Sequence, residues 1–250
     1  MDNLNTDRLY TDNNVLPTAG RVNFNTTVSK DFATNEAYKT LRTNLLFCGS
    51  DVKIILITSA HENEGKSTIS TEISKSLAEI NKKTLLIDAD MRKSVILKRN
   101  LKSQSIMGLS ELLSGQATIG QVLYNTQIPD FDVIFSGHFP PNPVELVSTE
   151  NFKLLLNELR EVYDYIIIDC PPLGPVIDAS VISTQCDGAV IVISAGNASY
   201  QEVISTKEQL QKSGCRILGA ILNETNPKKH KVYKYYKKNN YYYTNDKSYK

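Results

Sequence analysis

The chain has 250 residues, of which 41% are hydrophobic, and its 28 lysines and arginines nearly balance its 27 aspartates and glutamates. This length fits one large α/β domain with tails better than two full domains. Because the charges balance, the chain has no overall positive charge that would attract nucleic acid. No apolar run approaches the ~20 residues that cross a bilayer, and four widely spaced cysteines without a C-x-x-C pair indicate the reduced thiols of a cytosolic protein.

The chain begins with a segment that we predict to be a flexible leader. Residues 1–29 are rich in Asn, Asp and Thr and show no helical or strand period. The next segment, residues 31–47, places apolar side chains near one face of a helix. Glu36, Lys39 and Arg42 fall at spacings of three on another face, which is typical of a solvated helix surface with an intrahelical ion pair.

The stretch from Ile54 to Thr68 carries the strongest functional signal. A run of apolar and β-branched residues that ends at Ser59 predicts a buried parallel strand, and a helix is predicted from Ser67 to about Asn81. The segment AHENEGKS joins them and fits the phosphate-loop pattern, with Ala60 in place of the usual first glycine. The order of strand, tight loop and helix is the one that cradles phosphates.

Each position of this loop has a predicted role. Backbone N–H groups of the loop and of the helix start point at the anion, the charge of Lys66 reaches the β- and γ-phosphates, and the Ser67 hydroxyl ligates Mg²⁺. Gly65 lets the backbone approach the phosphate, and Asn63 tolerates the left-handed conformation that glycine otherwise adopts. The predicted nucleotide-binding residues of the loop are Asn63, Glu64, Gly65, Lys66, Ser67 and Thr68.

Two further strands are predicted to end in carboxylates, at the edge of a parallel sheet where ligands bind. Leu85 to Ile87 leads into Asp88 and Asp90, and the run YIII leads into Asp169, the form expected of a Walker B strand. We predict that Asp88 and Asp169 join Ser67 as Mg²⁺ ligands and that one of the carboxylates acts as a general base. The simpler alternative is a helix cap followed by a surface charge. The predicted catalytic set is Lys66, Asp88, Asp90 and Asp169.

The remaining segments alternate between strands and helices, which predicts a mostly parallel, twisted sheet with helices on both faces. His138 lies in a proline-dense loop and is predicted to be a loop residue. Asn223 follows the last strand, where it is a candidate contact to a nucleotide base or simply part of a turn. The predicted elements are helices at 108–113, 119–123, 143–163, 175–184 and 200–212, and strands at 131–135, 164–169, 188–194 and 216–222.

The last 25 residues, 226–250, form a basic, aromatic segment without a hydrophobic period, which predicts a flexible low-complexity tail. Residues 30–225 are therefore the predicted domain. The tail leaves the carboxyl end of the last strand, the sheet edge that also carries the phosphate loop. Its candidate phosphate acceptors are Tyr233, Tyr235, Tyr236, Tyr241, Tyr242, Tyr243 and Tyr249.

From residue 31 onward, the chain resembles the bacterial tyrosine kinases of capsule and exopolysaccharide gene clusters, the BY-kinases. The matching stretches are EGKST, LLIDADMRK, GHFPPNPVEL and YIIIDCPP, followed by the terminal tyrosines. The resemblance implies a P-loop NTPase fold, ATP and Mg²⁺ as cofactors, and autophosphorylation of the tail. It also implies that Glu36, Lys39 and Arg42 correspond to a Glu-x-x-Arg-x-x-Arg oligomerisation motif, from which Lys39 departs. The loop departs too, because Glu62 and Asn63 stand where the family commonly has Pro-Gly.

The resemblance also implies partners and a location. Members form ring-like oligomers in which one subunit phosphorylates another, and a separate membrane-spanning adaptor activates them. A cognate tyrosine phosphatase removes the phosphate groups. We therefore expect a cytoplasmic protein that is recruited to the inner face of the cell membrane, with no nucleic-acid partner.

Two other function classes remain open. A partition or septum-placement ATPase would share the fold, but such proteins carry a second lysine early in the loop, where this chain has His61. A basic, aromatic tail also suits binding to nucleic acid or anionic lipid. A GTPase is disfavoured, because the segment that starts at Asn223, NETN, lacks the Lys and Asp of the base-reading Asn-Lys-x-Asp motif.

Overall fold

The computed structural model describes residues 16–24, 32–101, 106–174 and 176–225. Within these ranges, eight strands form one sheet in the order β1-β4-β5-β3-β6-β2-β7-β8. All neighbours are parallel except β4 and β5. The strands are β1 (Gly20–Val22), β2 (Ile54–Ser59), β3 (Thr84–Asp88), β4 (Leu123–Thr126), β5 (Phe131–Ile134), β6 (Tyr165–Asp169), β7 (Gly188–Ser194) and β8 (Ile217–Asn223). The fold class predicted from the sequence is confirmed.

Helices cover both faces of this sheet. One face packs against α1, α2 and α3, and the other packs against α4 to α9. The helices are α1 (Phe32–Leu46), α2 (Lys66–Ala78), α3 (Val95–Leu101), α4 (Leu109–Leu113), α5 (Ile119–Val122), α6 (Pro143–Val147), α7 (Glu150–Val162), α8 (Asp178–Ser183) and α9 (Tyr200–Lys212). None of the helices in the described ranges is long and apolar enough to span a membrane.

The central strand β2 shows why the core has two halves. All six of its residues are buried, and successive side chains point to opposite faces of the sheet. Ile54 and Leu56 pack into the layer of α4 to α9, whereas Ile55 and Ile57 pack against α1 to α3. A strand buried on both faces is apolar along most of its length, so a continuous hydrophobic run was the correct signal. The two polar residues at its end, Thr58 and Ser59, donate their hydroxyls to the carbonyls of Pro171 and His61.

The first correction concerns the predicted leader. Residues 16–24 pack on the domain, and Gly20–Val22 forms an edge strand parallel to β4. Phe24 is 2% exposed, and its ring lies 5.2 Å from that of Phe131. Its backbone N–H and carbonyl both bond to the side chain of Gln127. A three-residue strand is too short to show a period, so this pairing depends on contacts that are distant in sequence.

Other differences are local. The helix predicted from Pro143 to Tyr163 is two helices, because Thr149 adopts an extended conformation (φ −72°, ψ 152°) and its hydroxyl bonds to the carbonyl of Leu146 at 2.8 Å. The helix predicted from residue 175 begins at Asp178, and residue 175 lies outside the described ranges. Elements that the sequence did not predict are α3 and β4. The tyrosine-rich tail, 226–250, also lies outside the described residues.

His138 is a loop residue, as predicted. It follows β5, and its Nδ1 lies 2.8 Å from Glu111 Oε1. The other carboxylate oxygen of Glu111 accepts a hydrogen bond from the Gly108 N–H at 2.7 Å, which closes the start of α4. The four cysteines are free, and Cys170 and Cys215 are buried.

Candidate active site

The phosphate loop ends at Gly65, which is the N-cap of α2 and has a left-handed backbone (φ 89°). Asn63 is left-handed too (φ 62°), as predicted from its tolerance of that region. Glycine has no side chain that could cap the helix, so the N–H groups of the first turn remain available to an anion. Lys66 begins α2 and is only 7% exposed, which keeps its charge beside the loop. These features fit a bound phosphate chain.

The sheet register brings two of the predicted carboxylates side by side. Asp88 and Asp169 are directly paired residues at the carboxyl ends of β3 and β6, and both side chains are essentially inaccessible to solvent. The Asp169 carboxylate accepts hydrogen bonds from Ser67 and, at 2.9 Å, from the Ser70 hydroxyl. Strand ends of a parallel sheet, together with the start of α2, therefore assemble a lysine, hydroxyls and carboxylates in one place.

Burial dominates the electrostatics of this pair. It raises the pKa of Asp169 to about 6, although hydrogen bonds from Ser67 and Ser70 and the charge of Lys66 oppose the shift. Burial, followed by repulsion from Asp169, holds the pKa of Asp88 well above its usual range. Two carboxylates with raised pKa values gain most from a nearby cation, because it stabilises their charged forms.

The residues suit Mg²⁺ if the nucleotide supplies the other ligands. No group of three or more His, Cys, Asp or Glu side chains among the described residues is arranged to hold a metal ion alone. Magnesium in nucleotide sites binds one or two protein oxygens and completes its shell with phosphate oxygens and water. Ser67 at the start of α2 and Asp88 and Asp169 at the strand ends are the side chains whose oxygens suit such a site.

Asp90 differs from the other two carboxylates because it is only partly buried. Its Oδ1 accepts the Lys93 N–H at 2.9 Å, and its own N–H donates to Asp88 Oδ1 at 3.3 Å. Asp90 therefore orders the turn after β3 and adds negative charge beside Asp88. The alternative of a helix cap followed by a surface charge does not describe Asp90, because the start of α3 is capped by Ser94, whose Oγ accepts the Leu97 N–H at 2.9 Å.

Several residues around the site belong to no sequence motif and were not predicted. Ser94 donates its hydroxyl to Asp88 Oδ2. Arg92 makes two hydrogen bonds to Asp178, at 2.8 and 3.2 Å, and ties the turn after β3 to α8. Ser70 lies four residues after Lys66, so the period of α2 was the one signal that placed it on the face that meets Asp169.

A cleft of about 720 Å³ opens beside the start of the phosphate loop. Among its lining residues, His61 Nε2 lies 3.0 Å from Glu202 Oε1 on α9. Hydrogen bonds from the backbone and hydroxyl of Ser199, and then from His61, lower the pKa of Glu202 to about 2. The cleft is lined by Ala60, His61, Glu62, Gly174, Asn197, Glu202, Ser205, Thr206 and Gln209.

Other predicted site residues have contacts of their own. Thr68 Oγ1 accepts a hydrogen bond from Arg99 Nη1 at 3.3 Å. The candidate base contact Asn223 lies against the phosphate loop, where its Nδ2 donates to the Glu64 carbonyl at 3.0 Å. Contact between Asn223 and a base remains a prediction.

The predicted oligomerisation residues divide into two groups. Glu36 and Lys39 form an exposed ion pair at 2.7 Å, as expected for a solvated helix face. Arg42 instead turns toward α2, where Nη1 donates to the Ser76 carbonyl at 2.9 Å. The Nε of Arg42 is buried and has no hydrogen-bond partner among the described residues. Within one chain the three side chains do not act as a unit.

Comparisons with known proteins place this geometry in context. Residues 52–218 match the AAA domain family, so the chain is a nucleotide-binding domain of the P-loop type. It is 44% identical over 193 residues to the tyrosine-protein kinase CpsD of Streptococcus agalactiae, which covers 77% of this chain and 84% of that protein.

Solved structures are also similar to this chain. The chimerical protein CapA2B2 has a TM-score of 0.74 and 33% identity over 84% of this chain and 94% of its own. The septum site-determining protein MinD of Pyrococcus horikoshii, complexed with Mg-ADP, is less similar, with a TM-score of 0.58 and 25% identity over 68% of this chain and 70% of its own. The fold is therefore shared with a septum-placement protein, and the sequence is more similar to the tyrosine-protein kinase, at 44% identity, than to that protein, at 25%.

Proposed function

The chain belongs to the bacterial tyrosine kinases of capsule and exopolysaccharide synthesis, and we propose that it transfers the γ-phosphoryl group of ATP to tyrosines of its own C-terminal tail. The observation that carries this proposal is the pairing of Asp88 with Asp169 beside Lys66 and Ser67. That arrangement offers a site for the triphosphate, the metal and a proton acceptor together. The proposed acceptors are Tyr233, Tyr235, Tyr236, Tyr241, Tyr242, Tyr243 and Tyr249.

The side chains divide two tasks in this mechanism, binding of the nucleotide with its metal and transfer of the proton. Lys66 and the N–H groups at the start of α2 hold the phosphates, and Ser67, Asp88 and Asp169 would provide oxygens for Mg²⁺. When bound, Mg²⁺ supplies positive charge that offsets the charge of the phosphates in the transition state. These groups position and stabilise the γ-phosphate, which is most of what phosphoryl transfer requires.

Asp88 is the proposed proton acceptor. The tyrosine oxygen forms a bond to the γ-phosphorus while the bond from that phosphorus to the β,γ-bridging oxygen breaks, so that ADP leaves. The phenolic proton passes to a carboxylate oxygen of Asp88. Burial makes this carboxylate more basic than an exposed one, and the positive charge of bound Mg²⁺ would keep it in the ionised form that accepts the proton. Asp90 supports the reaction by ordering the turn that presents Asp88.

The proposed partners follow from the family. They are other copies of this chain in an oligomer, a ring in the fullest form, a separate membrane-spanning adaptor that activates the kinase, and a cognate tyrosine phosphatase. We place the protein in the cytoplasm, at the inner face of the membrane through that adaptor, and propose Glu36, Lys39 and Arg42 as oligomer contacts.

The test is to incubate the purified full chain with ATP and Mg²⁺ and to map phosphotyrosines by mass spectrometry. Lys66→Met should lower tail phosphorylation by at least ~100-fold, because it removes the charge that stabilises the phosphates. Lys153→Met is the matched control, since Lys153 lies half exposed on α7 in a surface pair with Glu150. It should phosphorylate as the wild type does.

The competing function is a nucleotide-driven switch of the septum-placement type, favoured by the fold shared with MinD. Wild-type protein that hydrolyses ATP but never modifies its own tyrosines, even beside membranes that contain the adaptor, would establish the switch and reject the kinase.

A further inference from the structure

Asn223, the last residue of β8, contacts the backbone of the phosphate loop. Its Nδ2 donates to the carbonyl of Glu64 at 3.0 Å. A Cβ atom on Gly65 would lie 2.1 Å from the same nitrogen, which is impossible without displacing the amide. The missing side chain of Gly65 therefore makes room for Asn223 as well as for a phosphate. The amide group lies where the loop turns into α2.

The side chain of Glu64 holds the same part of the loop from within. Its carboxylate is fully buried, although Glu64 is part of a loop that faces an anion. It accepts the His61 N–H at 2.9 Å and the Ser194 N–H at 3.2 Å, so it links the start of the loop to the end of β7. A negative charge at this position opposes phosphate binding, so its contribution must be to the shape of the loop.

The loop needs such support because of its sequence. Asn63 holds a left-handed conformation, which is costly for a residue with a Cβ unless its surroundings impose it. Ala60 stands where the motif usually has a glycine. Glu64 directly follows Asn63. Its carboxylate is bound by the Ser194 N–H at the end of β7, and its carbonyl is bound by the Asn223 side chain at the end of β8. The carboxyl ends of these two strands thus fix the conformation that aims the loop N–H groups.

We propose that Asn223 and Glu64 are positioning residues, which hold the phosphate loop in its anion-binding conformation and act on the phosphates through that loop rather than through the nucleotide base. This inference rests on the nucleotide-binding part of the proposed function and not on transfer to tyrosine. It assigns to the end of β8 a role in binding the phosphates of any nucleoside triphosphate.

The test uses Asn223→Leu in the full chain, because leucine is similar in size and neutral but donates no hydrogen bond. Isothermal titration calorimetry with Mg²⁺ compares ATP, GTP and inorganic triphosphate, which has no base. We expect the affinities for ATP and for inorganic triphosphate to fall by the same factor, roughly 5- to 30-fold, which corresponds to one lost hydrogen bond to a buried acceptor. The ratio of ATP to GTP affinity should not change.

A second readout does not depend on ligand. Hydrogen exchange of the loop amides at residues 60–66 should become faster in Asn223→Leu than in the wild type, without nucleotide. Asn157→Leu is the matched control, since Asn157 is exposed on α7, and it should change neither affinity nor exchange.

A third measurement uses Glu64→Gln, whose amide cannot accept both N–H groups. It should weaken inorganic triphosphate binding as well. The loss in the Glu64→Gln and Asn223→Leu double variant should be smaller than the product of the single losses, because both act on one loop. Glu64→Gln also carries the test if Asn223→Leu does not fold.

The outcomes separate the two proposals. An ATP affinity that falls while inorganic triphosphate binds normally would make Asn223 a base contact and overturn the inference, as would unchanged affinity for both. Wild-type protein that binds triphosphate but phosphorylates no tyrosine would leave the inference intact and reject the kinase.

Discussion

Aspartates stand at both ends of the same sheet, and their surroundings differ. Asp187, just before β7 at the amino edge, accepts hydrogen bonds from the Lys53 and Ile54 N–H groups at 2.8 Å and from the Arg160 guanidinium. Burial favours a higher pKa, but these bonds outweigh it and the pKa is lowered. At the carboxyl edge the pKa values of Asp88 and Asp169 are raised.

The difference distinguishes a structural carboxylate from a functional one. Asp187 finds its cation and its donors within the fold, so its charge is already stabilised. In the described residues the hydrogen bonds to Asp88 come from a hydroxyl and a backbone N–H, and Asp90 and Asp169 repel it. Groups whose charge the fold does not stabilise are candidates for binding an external cation or moving a proton.

The largest expected effect is on phosphorylation, and it compares an Asp-to-Asn substitution at the carboxyl edge of the sheet with one at the amino edge. Asp88→Asn should lower tail phosphorylation by about 10²- to 10⁴-fold, because the proposed base is lost while size is kept. The folded protein should remain at least as stable as the wild type, since the neutral amide avoids burying a charge.

Asp187→Asn is the control for that experiment. It should retain phosphorylation below its melting temperature. Phosphopeptide mapping and thermal denaturation of both variants give the comparison, and equal losses of activity would remove the distinction between the two ends.

The next effect is a dependence of stability on pH. The folded pKa of Asp169, about 6, lies above the unfolded value of about 4, so its contribution to stability is full below pH 4 and is lost as the pH rises through 6. The loss is on the order of 2–3 kcal/mol. Without nucleotide, wild-type protein should therefore lose stability relative to Asp169→Asn between about pH 4 and pH 6, as measured by urea denaturation.

Asp187 should show the opposite sign. Its folded pKa is lowered, so its contribution is present above the unfolded pKa and is lost on acidification. Asp187→Asn should cost about 1–2 kcal/mol at pH 7, because the pair with Arg160 is partly exposed, and less at pH 3. A wild-type curve parallel to that of either variant would contradict the assignment for that residue.

Local sequence patterns predicted the phosphate loop and the carboxylates at the strand ends, but they did not predict contacts between residues that are distant in sequence. The loop from Asn63 to Thr68 and the strands that end in Asp88 and Asp169 are written in continuous sequence, and the parallel order of β3 and β6 then brings the carboxylates together. By contrast, Arg92 meets Asp178 across 86 residues. Asn223 meets Glu64 across 159 residues, so a single sequence offered no period or spacing that joins them.

The amino-terminal segment illustrates the same limit. Residues 20–22 form a strand only because β4 offers an edge, and Phe24 is buried only because Phe131 and Phe135 meet it. Composition alone therefore predicted a leader where the fold has an edge strand. The boundaries of the domain and of the tail remain predictions.

The smallest effect is expected on α1, whose ion pair between Glu36 and Lys39 is exposed on both sides. Exposed pairs contribute about 0.2–1 kcal/mol, so Lys39→Met should change the urea midpoint of the monomer very little. If these residues are oligomer contacts, the same variant should shift the full chain toward smaller species in sedimentation velocity. Lys153→Met, which breaks the surface pair with Glu150, is the control and should leave the oligomer unchanged. An unchanged sedimentation profile for Lys39→Met would remove Lys39 from the proposed interface. The comparison of a carboxylate paired within the fold, Asp187, with an unpaired one, Asp88, would then apply to the sheet and not to α1.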